Sequence, residues 1–493
     1  MVVALGLGSL IFFALRGTAA QLMPPQRFRT WRNAWLVTTL ALFLSHNIWL
    51  YLLAVVVVSL YVRGREPHVF GIYFVLMFVA PAAPFQIPGF GVINYLIQLD
   101  HYRILALTLL LPAALSLMQR PSTLRIGRSP IDWMVLGYVL VVSALKFRGG
   151  VITSDLREAT MIWLDVFLPY YVASRSIKDL DGFRHALFGF MIGAMLLSLL
   201  AIFEVLRSWK LYTAVLSVLG LYDYFWGLYL MRSGWLRPTV SLGQPIALGY
   251  VIVVGAGCYL FIKNLIPQPR YRLMGALLLA VGVFASLSRG PWVGALLLMI
   301  VFTLFGEKPV KNVLYLFMIV FVAFVILNVI PQGQVVLNML PFIGEVDEFN
   351  VQYRVDLFST TGDVILRNLW FGSKDYLQAP ELQSMIQGEG IIDIVNSYLG
   401  VVLDAGIVGL TFFVGVFVTS AMSIRRGLRL SGADSPEMRL LGRVLMSILA
   451  AIMLIIYTAS SITAIPWVYW IFAGFCAAYA ACASRPKPVP LNV

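Results

Sequence analysis

The chain has 493 residues, of which 60% are hydrophobic and only 12% charged, with a formal net charge of +13. Apolar segments of membrane-spanning length recur from end to end, which excludes a soluble globular protein. The basic residues lie in short clusters at the ends of those segments, so the charge speaks for anionic membrane lipids as neighbours and against nucleic acid.

Taken in chain order, the apolar runs predict helices near 2–15, 34–45, 48–62, 69–81, 103–118, 131–145, 159–174, 185–206, 244–262, 273–287, 291–306, 312–330, 397–424, 441–460 and 467–483. The runs are continuous and lack period-two alternation, which excludes outer-membrane strands. The expected fold is an all-α polytopic membrane protein with about fourteen transmembrane helices. No basic residue precedes the apolar stretch 1–15, and Arg16, Arg27, Arg29 and Arg32 follow it. It reads as a first membrane helix with its N-terminus outside.

Orientation follows from the Lys and Arg count. Loops starting near 16, 63, 119, 175, 263, 307, 425 and 484 hold 23 of the 36 basic residues, and the intervening loops hold 11. The first set is expected to face the cytoplasm. The long polar loop 331–395, the loop 207–243 and the break at Ser288-Arg289-Gly290 then face outward. The expected organisation is N-terminal helices over 1–230, a core over 231–424 that contains the loop 331–395, helices over 425–483, and a cytoplasmic tail 484–493. Cys258, Cys476 and Cys482 fall inside apolar runs, and His46, His68, His101 and His185 are scattered. Neither a disulfide, nor a metal site, nor a cofactor is expected.

The outward loops are where chemistry is expected. A polar loop as long as 331–395 is either the roof of an active site or a plain surface hairpin. Arg232, Arg237, Arg289, Arg354 and Arg367 stand against the positive-inside bias. An acidic neighbour, a lipid headgroup or an anionic substrate should compensate them. At Ser288-Arg289-Gly290-Pro291 a helix is interrupted, which places Arg289 at a helix N-terminus. That corner suits a phosphate, although an arginine there can also simply snorkel to headgroups. Arg232 and Arg237 precede the helix that opens at Pro245 and form either a second phosphate-facing turn or an interfacial anchor. Glu389 and Asp393 are four apart and would share a face if helical, offering a general base or ordinary helix-start chemistry.

These features occur together in a recognisable order. Arg237-Pro238 precedes a Gly-x-Pro helix start, Ser288-Arg289-Gly290-Pro291-Trp292 breaks a helix, and a polar loop begins near Tyr353-Arg354. That loop ends in Asn396-Ser397-Tyr398-Leu399-Gly400, followed by 404–410. The stretch from about 232 to 410 resembles the bacterial O-antigen ligase and O-antigen/exopolysaccharide polymerase (Wzy-type) superfamily. The resemblance implies a fold similar to integral-membrane glycosyltransferases with a large periplasmic loop. It also implies transfer of glycan from undecaprenyl pyrophosphate at the outer face of the bacterial inner membrane. In that reading Arg237 and Arg289 hold the pyrophosphate, and Arg354 opens the loop. Tyr353, Trp370, Tyr376 and Tyr398 either pack against sugars or anchor at the membrane boundary. The ligase branch usually has a histidine where this chain has Val395, which shifts the reading toward a metal-independent, inverting polymerase, with Asp393 or Glu389 as the only nearby bases. Expected partners are the carrier-linked oligosaccharide, membrane lipids, and chain-length regulator and flippase proteins. A ligase acting on a non-carrier acceptor is the first rival. A flippase or transporter is the second, with Asp165 and Glu204 as its buried ionisable residues.

Overall fold

The computed structural model describes the chain except for residues 92–93, 222–226, 331–332, 341–347, 387–389, 432–434 and 486–493, and except for the side chains of 333, 335–336 and 348–351. The chain is 75% helical with almost no sheet, an all-α polytopic membrane protein. Every segment predicted from hydropathy holds a helix. These are α1 (Val2–Leu22), α2 (Pro25–Leu44), α3 (Ile48–Arg63), α4 (Val69–Met77), α5 (His101–Gln119), α6 (Pro130–Lys146) and α7 (152–176). Then come α8 (Leu180–Arg207), α9 (Pro245–Ile262), α10 (Pro269–Ala285), α11 (Arg289–Leu304) and α12 (Pro309–Val329). The loop helix α13 (Glu348–Arg367) precedes α14 (Ser397–Leu430), α15 (Pro436–Tyr457) and α16 (Ala464–Ala483).

Among the described residues, eight helices are long and apolar enough to cross a membrane: α1, α5, α8, α9, α12, α14, α15 and α16. The expected count of about fourteen took in shorter apolar helices such as α3 and α11, each of 16 residues. Local chemistry sets many of the boundaries. Prolines stand in the first turn of α2, α6, α9, α10, α12 and α15, where the missing N–H costs nothing. Asn47, Asp100, Asp179 and Asn396 cap α3, α5, α8 and α14 through their side chains.

The centre of the bundle is α8 and α9, with α15 and α16 beside them. α9 is apolar around its whole circumference and almost wholly buried in protein. α12 is equally apolar, yet none of its residues is buried. A helix with that surface is stable only in hydrocarbon. α4 and α8 meet backbone to backbone, since a Cβ on Gly189 would lie 2.1 Å from the Gly71 carbonyl oxygen.

Side-chain contacts between loops sort into two ends. At one end Arg27 meets Glu66, Arg184 chelates Glu437 at 2.5 and 2.7 Å, Arg175 meets Asp132 at 2.7 Å, and His68 meets Asp181 at 3.1 Å. At the other, Lys374 meets Asp155 at 3.0 Å and Lys146 meets Asp404 at 3.4 Å. These pairs join only segments that the Lys and Arg count assigns to the same side. We call the two the basic end and the loop end.

Candidate functional site

At the loop end, Met231–Arg232 and Trp235–Leu236 pair as antiparallel strands β1 and β2. Ser233 and Gly234 between them both have positive φ, 47° and 80°, as a two-residue type I′ hairpin requires. The hairpin delivers two arginines to the turn before α11. Arg232 Nη1 donates to the Leu287 carbonyl at 2.6 Å, and Arg237 Nη2 donates to Ser288 Oγ at 3.2 Å. Ser288 uses its own hydroxyl proton on the Ser286 carbonyl at 3.1 Å and does not cap the helix it precedes. The first turn of α11 therefore opens beside Arg237 and Arg289 without a side-chain cap, and its positive dipole end adds to their charge.

Arg237 is the most informative of these cations. It is half-buried, it has no carboxylate within ion-pair distance among the described residues, and its Nε is a buried donor without a partner. Burial, and then the nearby Arg232, pull its guanidinium down to about 10, which leaves it cationic at neutral pH. A buried donor left unmade costs about 1–3 kcal/mol. An anion bound here would recover that cost.

A second set of groups reaches the same place from 458–463, the turn between α15 and α16. A Cβ on Gly290 would lie 2.4 Å from Thr458 Oγ1, so the start of α11 presses on this turn. Arg354 Nη2 faces the Thr458 carbonyl at 3.5 Å, and Ser460 Oγ donates to Asp393 Oδ1 at 2.7 Å. Tyr353 OH sits 3.1 Å from both the backbone N and O of Asp393, and Ser397 Oγ donates to the Ala459 carbonyl at 2.7 Å. Burial lowers the pKa of Arg354, while Asp393 and Tyr457 pull it the other way. Arg354, Val395, Asn396 and Tyr457 line a cavity of about 240 Å³ under α13. Val395, which by the resemblance stands where the ligase branch usually has a histidine, thus faces the same space as Arg354.

Glu204, expected as a mark of a transporter, is a clamp. It is fully buried at the end of α8, and its carboxylate accepts from the backbone N–H groups of Leu211, Thr239 and Val240 at 2.8, 3.0 and 3.0 Å. The last two follow Arg237-Pro238 directly, so Glu204 fixes the strand exit that carries Arg237. Asp165 is likewise spent, held by Arg103 at 2.7 and 3.0 Å. Positive φ among described non-glycine residues occurs at Ser208, Ser233, Val240, Leu287 and Thr463. Four of these five lie in the segments that build this site. Left-handed Val240 and Thr463 are β-branched, a strained state that surrounding contacts must hold.

The structure brings Arg232, Arg237, Arg289, Arg354, Tyr353 and Asp393 together, and it separates the rest. Arg367 lies on the exposed face of α13 and pairs with Glu381, so a role on pyrophosphate is not supported. Trp370 is exposed, and its carbonyl accepts from Val408 N. Tyr376 packs against the small core of the loop. Tyr398 OH donates to the Met453 carbonyl at 3.1 Å, and the Tyr353 hydroxyl is used on Asp393, which leaves Trp370 as the aromatic open to a sugar face. Glu389 lies outside the described residues. Asp393 is in irregular, non-helical chain, so the shared helical face with Glu389 is not formed at Asp393.

Three elements were missed. The hairpin was legible in the Ser233-Gly234 pair, a two-residue turn signal. The other two form one device. α14 is broken at Gly406 (φ 66°, ψ −168°), where Leu369 and Trp370 carbonyls accept from Ile407 and Val408 N at 2.8 and 3.2 Å. Arg148 locks the crossing, donating to the carbonyls of Phe371, Gly372 and Asp404 at 2.8–3.0 Å.

At the basic end, far along the bundle from Ser288, the fold joins two histidines that are 117 positions apart. His68, Asp181 and His185 place ligand-type atoms within 4.8 Å of one another, with the imidazoles stacked at 4.4 Å. The expectation that all four histidines stand apart fails there, because α8 runs back beside the start of α4.

A family model described as O-antigen ligase matches residues 274–414, a stretch that takes in Arg289, Arg354 and Asp393 but not Arg237 or the turn 458–463. A search of curated proteins finds no match. The chain therefore carries an O-antigen ligase family domain at 274–414, which agrees with its resemblance to the ligase and polymerase superfamily and supports a glycan-handling function of that type.

Proposed function

We propose that the protein is a polysaccharide polymerase of the bacterial inner membrane, with its loop end in the periplasm. It transfers a growing glycan from undecaprenyl pyrophosphate to a carrier-linked repeat unit. The observation that carries this reading is Arg237, a half-buried cation with an unmade donor, set against the uncapped start of α11 and beside Arg289. Three sources of positive charge, two guanidinium groups and a helix N-terminus, suit a diphosphate better than a single carboxylate or sulfate.

In this mechanism a hydroxyl of the acceptor sugar attacks the anomeric carbon on the face opposite the pyrophosphate. The new glycosidic C–O bond forms as the bond to the pyrophosphate oxygen breaks, which inverts the anomeric configuration. Negative charge develops on the leaving group, and Arg237 and Arg289 receive it without reorganising. Asp393, oriented by Ser460, accepts the hydroxyl proton. In this proposal the positive charge that the reaction needs comes from the two guanidinium groups and the start of α11, and the mechanism is metal-independent. Chain-length regulator and flippase proteins are the natural partners of such an enzyme.

The test supplies full-length protein in lipid vesicles with carrier-linked repeat units alone. A ladder of long chains that disappears in Arg289→Ala, while the variant stays folded and inserted, supports the reading. Growth only after a non-carrier acceptor is added would assign the protein to the ligase branch. A near-normal ladder in Arg289→Ala would remove the pyrophosphate clamp.

A further inference from the structure

A second, wider cavity lies at the basic end, opposite the proposed glycan site. It holds about 740 Å³ and is lined by Arg125, Arg128, Lys178, Arg426 and Arg485, with buried Arg175 at its floor. Among the described residues no carboxylate lines it. Arg175 is neutralised by Asp132 at 2.7 Å, but none of the other five has a carboxylate within ion-pair distance among the described residues. Two donors remain unused at the lining: Arg175 Nε and Thr123 Oγ1 are buried without partners. Ser129 and Pro130, at the start of α6, complete this part of the wall, and the helix start itself is already capped by Ser129 and Asp132. Five cations with no carboxylate partner among the described residues, set around one concavity, repel one another and favour an anion between them.

The rest of the wall says how that anion is presented. Met422, on α14, is 63% exposed, and with Ala477 and Ala481 of α16 it forms an apolar side that continues along two membrane-spanning helices. Leu124 is exposed at the rim. A soluble phosphate has no use for such a wall, whereas acyl chains running up from a headgroup do.

We propose that this cavity binds a phosphate group, presented by the headgroup of an anionic phospholipid whose acyl chains lie along α14 and α16. The site is independent of the glycan chemistry and stands or falls without it. Arg125, Arg128 and Arg426 grip the phosphate, and Arg175 supplies the floor through its free Nε.

Native mass spectrometry of the full-length protein, released from micelles containing phosphatidylglycerol and phosphatidylethanolamine, tests this. The wild type should retain phosphatidylglycerol preferentially. At about fivefold per cation near an anionic headgroup, Arg125→Gln/Arg128→Gln/Arg426→Gln should weaken that retention at least tenfold. Arg125→Lys/Arg128→Lys/Arg426→Lys should keep most of it. A charge-matched control on exposed arginines elsewhere, Arg29→Gln/Arg32→Gln/Arg270→Gln, should leave it unchanged. Equal retention of the two lipids by the wild type, or equal losses in the glutamine set and the control, would overturn the proposal. Inorganic pyrophosphate distinguishes the source. If it raises the melting temperature through the same three arginines while phosphatidylglycerol does not, the phosphate site stands and the lipid assignment falls.

Discussion

Arg237→Ala is expected to make the protein slightly more stable and far less active, and the two signs together identify a ligand-binding group. In the unliganded protein the guanidinium is held below its ordinary pKa by burial and by Arg232. A drop to about 10 corresponds to about 3 kcal/mol against keeping the charge in the folded state. Because the group is a cation with a lowered folded pKa, that penalty is fully present at every pH below about 10 and fades only above it. Alanine removes the penalty, together with the Ser288 hydrogen bond at about 1 kcal/mol and about 1 kcal/mol of stem packing. The net is a gain of about 1 kcal/mol at pH 7, which thermal unfolding in detergent would register as a rise of about one to two degrees. Turnover should fall by about 10²–10³, the usual loss for one donor on developing charge. Arg237→Lys should fall between, since it restores charge but not the planar fork. A variant with a lower melting point and near-normal polymerisation would refute the reasoning and make Arg237 a brace.

Three other substitutions separate bracing from chemistry. Glu204→Gln turns one acceptor into a donor against backbone N–H groups, so it should cost about 1–3 kcal/mol. It should also slow turnover by displacing Arg237, the opposite stability sign from Arg237→Ala. Asp393→Asn keeps an oxygen for Ser460 but cannot take a proton, so the fold should hold while turnover drops by about 10²–10⁴. Turnover within threefold of wild type would exclude Asp393 as base. Arg148→Ala leaves three carbonyls without their charged donor, and hydrogen exchange across 367–375 should rise while the membrane helices stay protected.

The helices were legible because hydrocarbon imposes a strong and local rule: a spanning segment must satisfy its own backbone and be apolar throughout. Prolines at Pro130, Pro245, Pro269 and Pro309 then mark where several of them begin. Arg237 and Arg289 stand out in the sequence for a related reason, since an arginine against the positive-inside bias needs something to compensate it. Side-chain pairing was not legible. Arg148 finds Asp404 across 256 residues, and Glu204 finds Val240 across 36. No local pattern encodes either. Tyr353 and Tyr398 misled because a tyrosine beside a polar loop looks like a sugar platform until its hydroxyl is seen donating to a backbone carbonyl. Arg367 turned out to take the acidic neighbour among its possible compensations, since Glu381, fourteen positions on, pairs with it.

The cations of the loop end divide by what they hold, and the division bears on function. Lys374, Lys146 and Arg103 sit on carboxylates, and Arg148 sits on three carbonyls, so the scaffold consumes their charge. Arg237 is treated differently. The chain spends a buried glutamate, a type I′ hairpin and left-handed Val240 to aim it, yet gives it one hydroxyl and leaves its Nε empty. A group needed only for stability would have been paired, because an unmade buried donor is costly and a carboxylate within reach would remove the cost. Glu204 could have been that carboxylate, but its oxygens are turned to backbone N–H groups instead. On the proposed reading, the arrangement uses the available negative charge for position and keeps the positive charge for a substrate that arrives from outside. That is what a site for a departing diphosphate requires: a field already in place before the bond breaks.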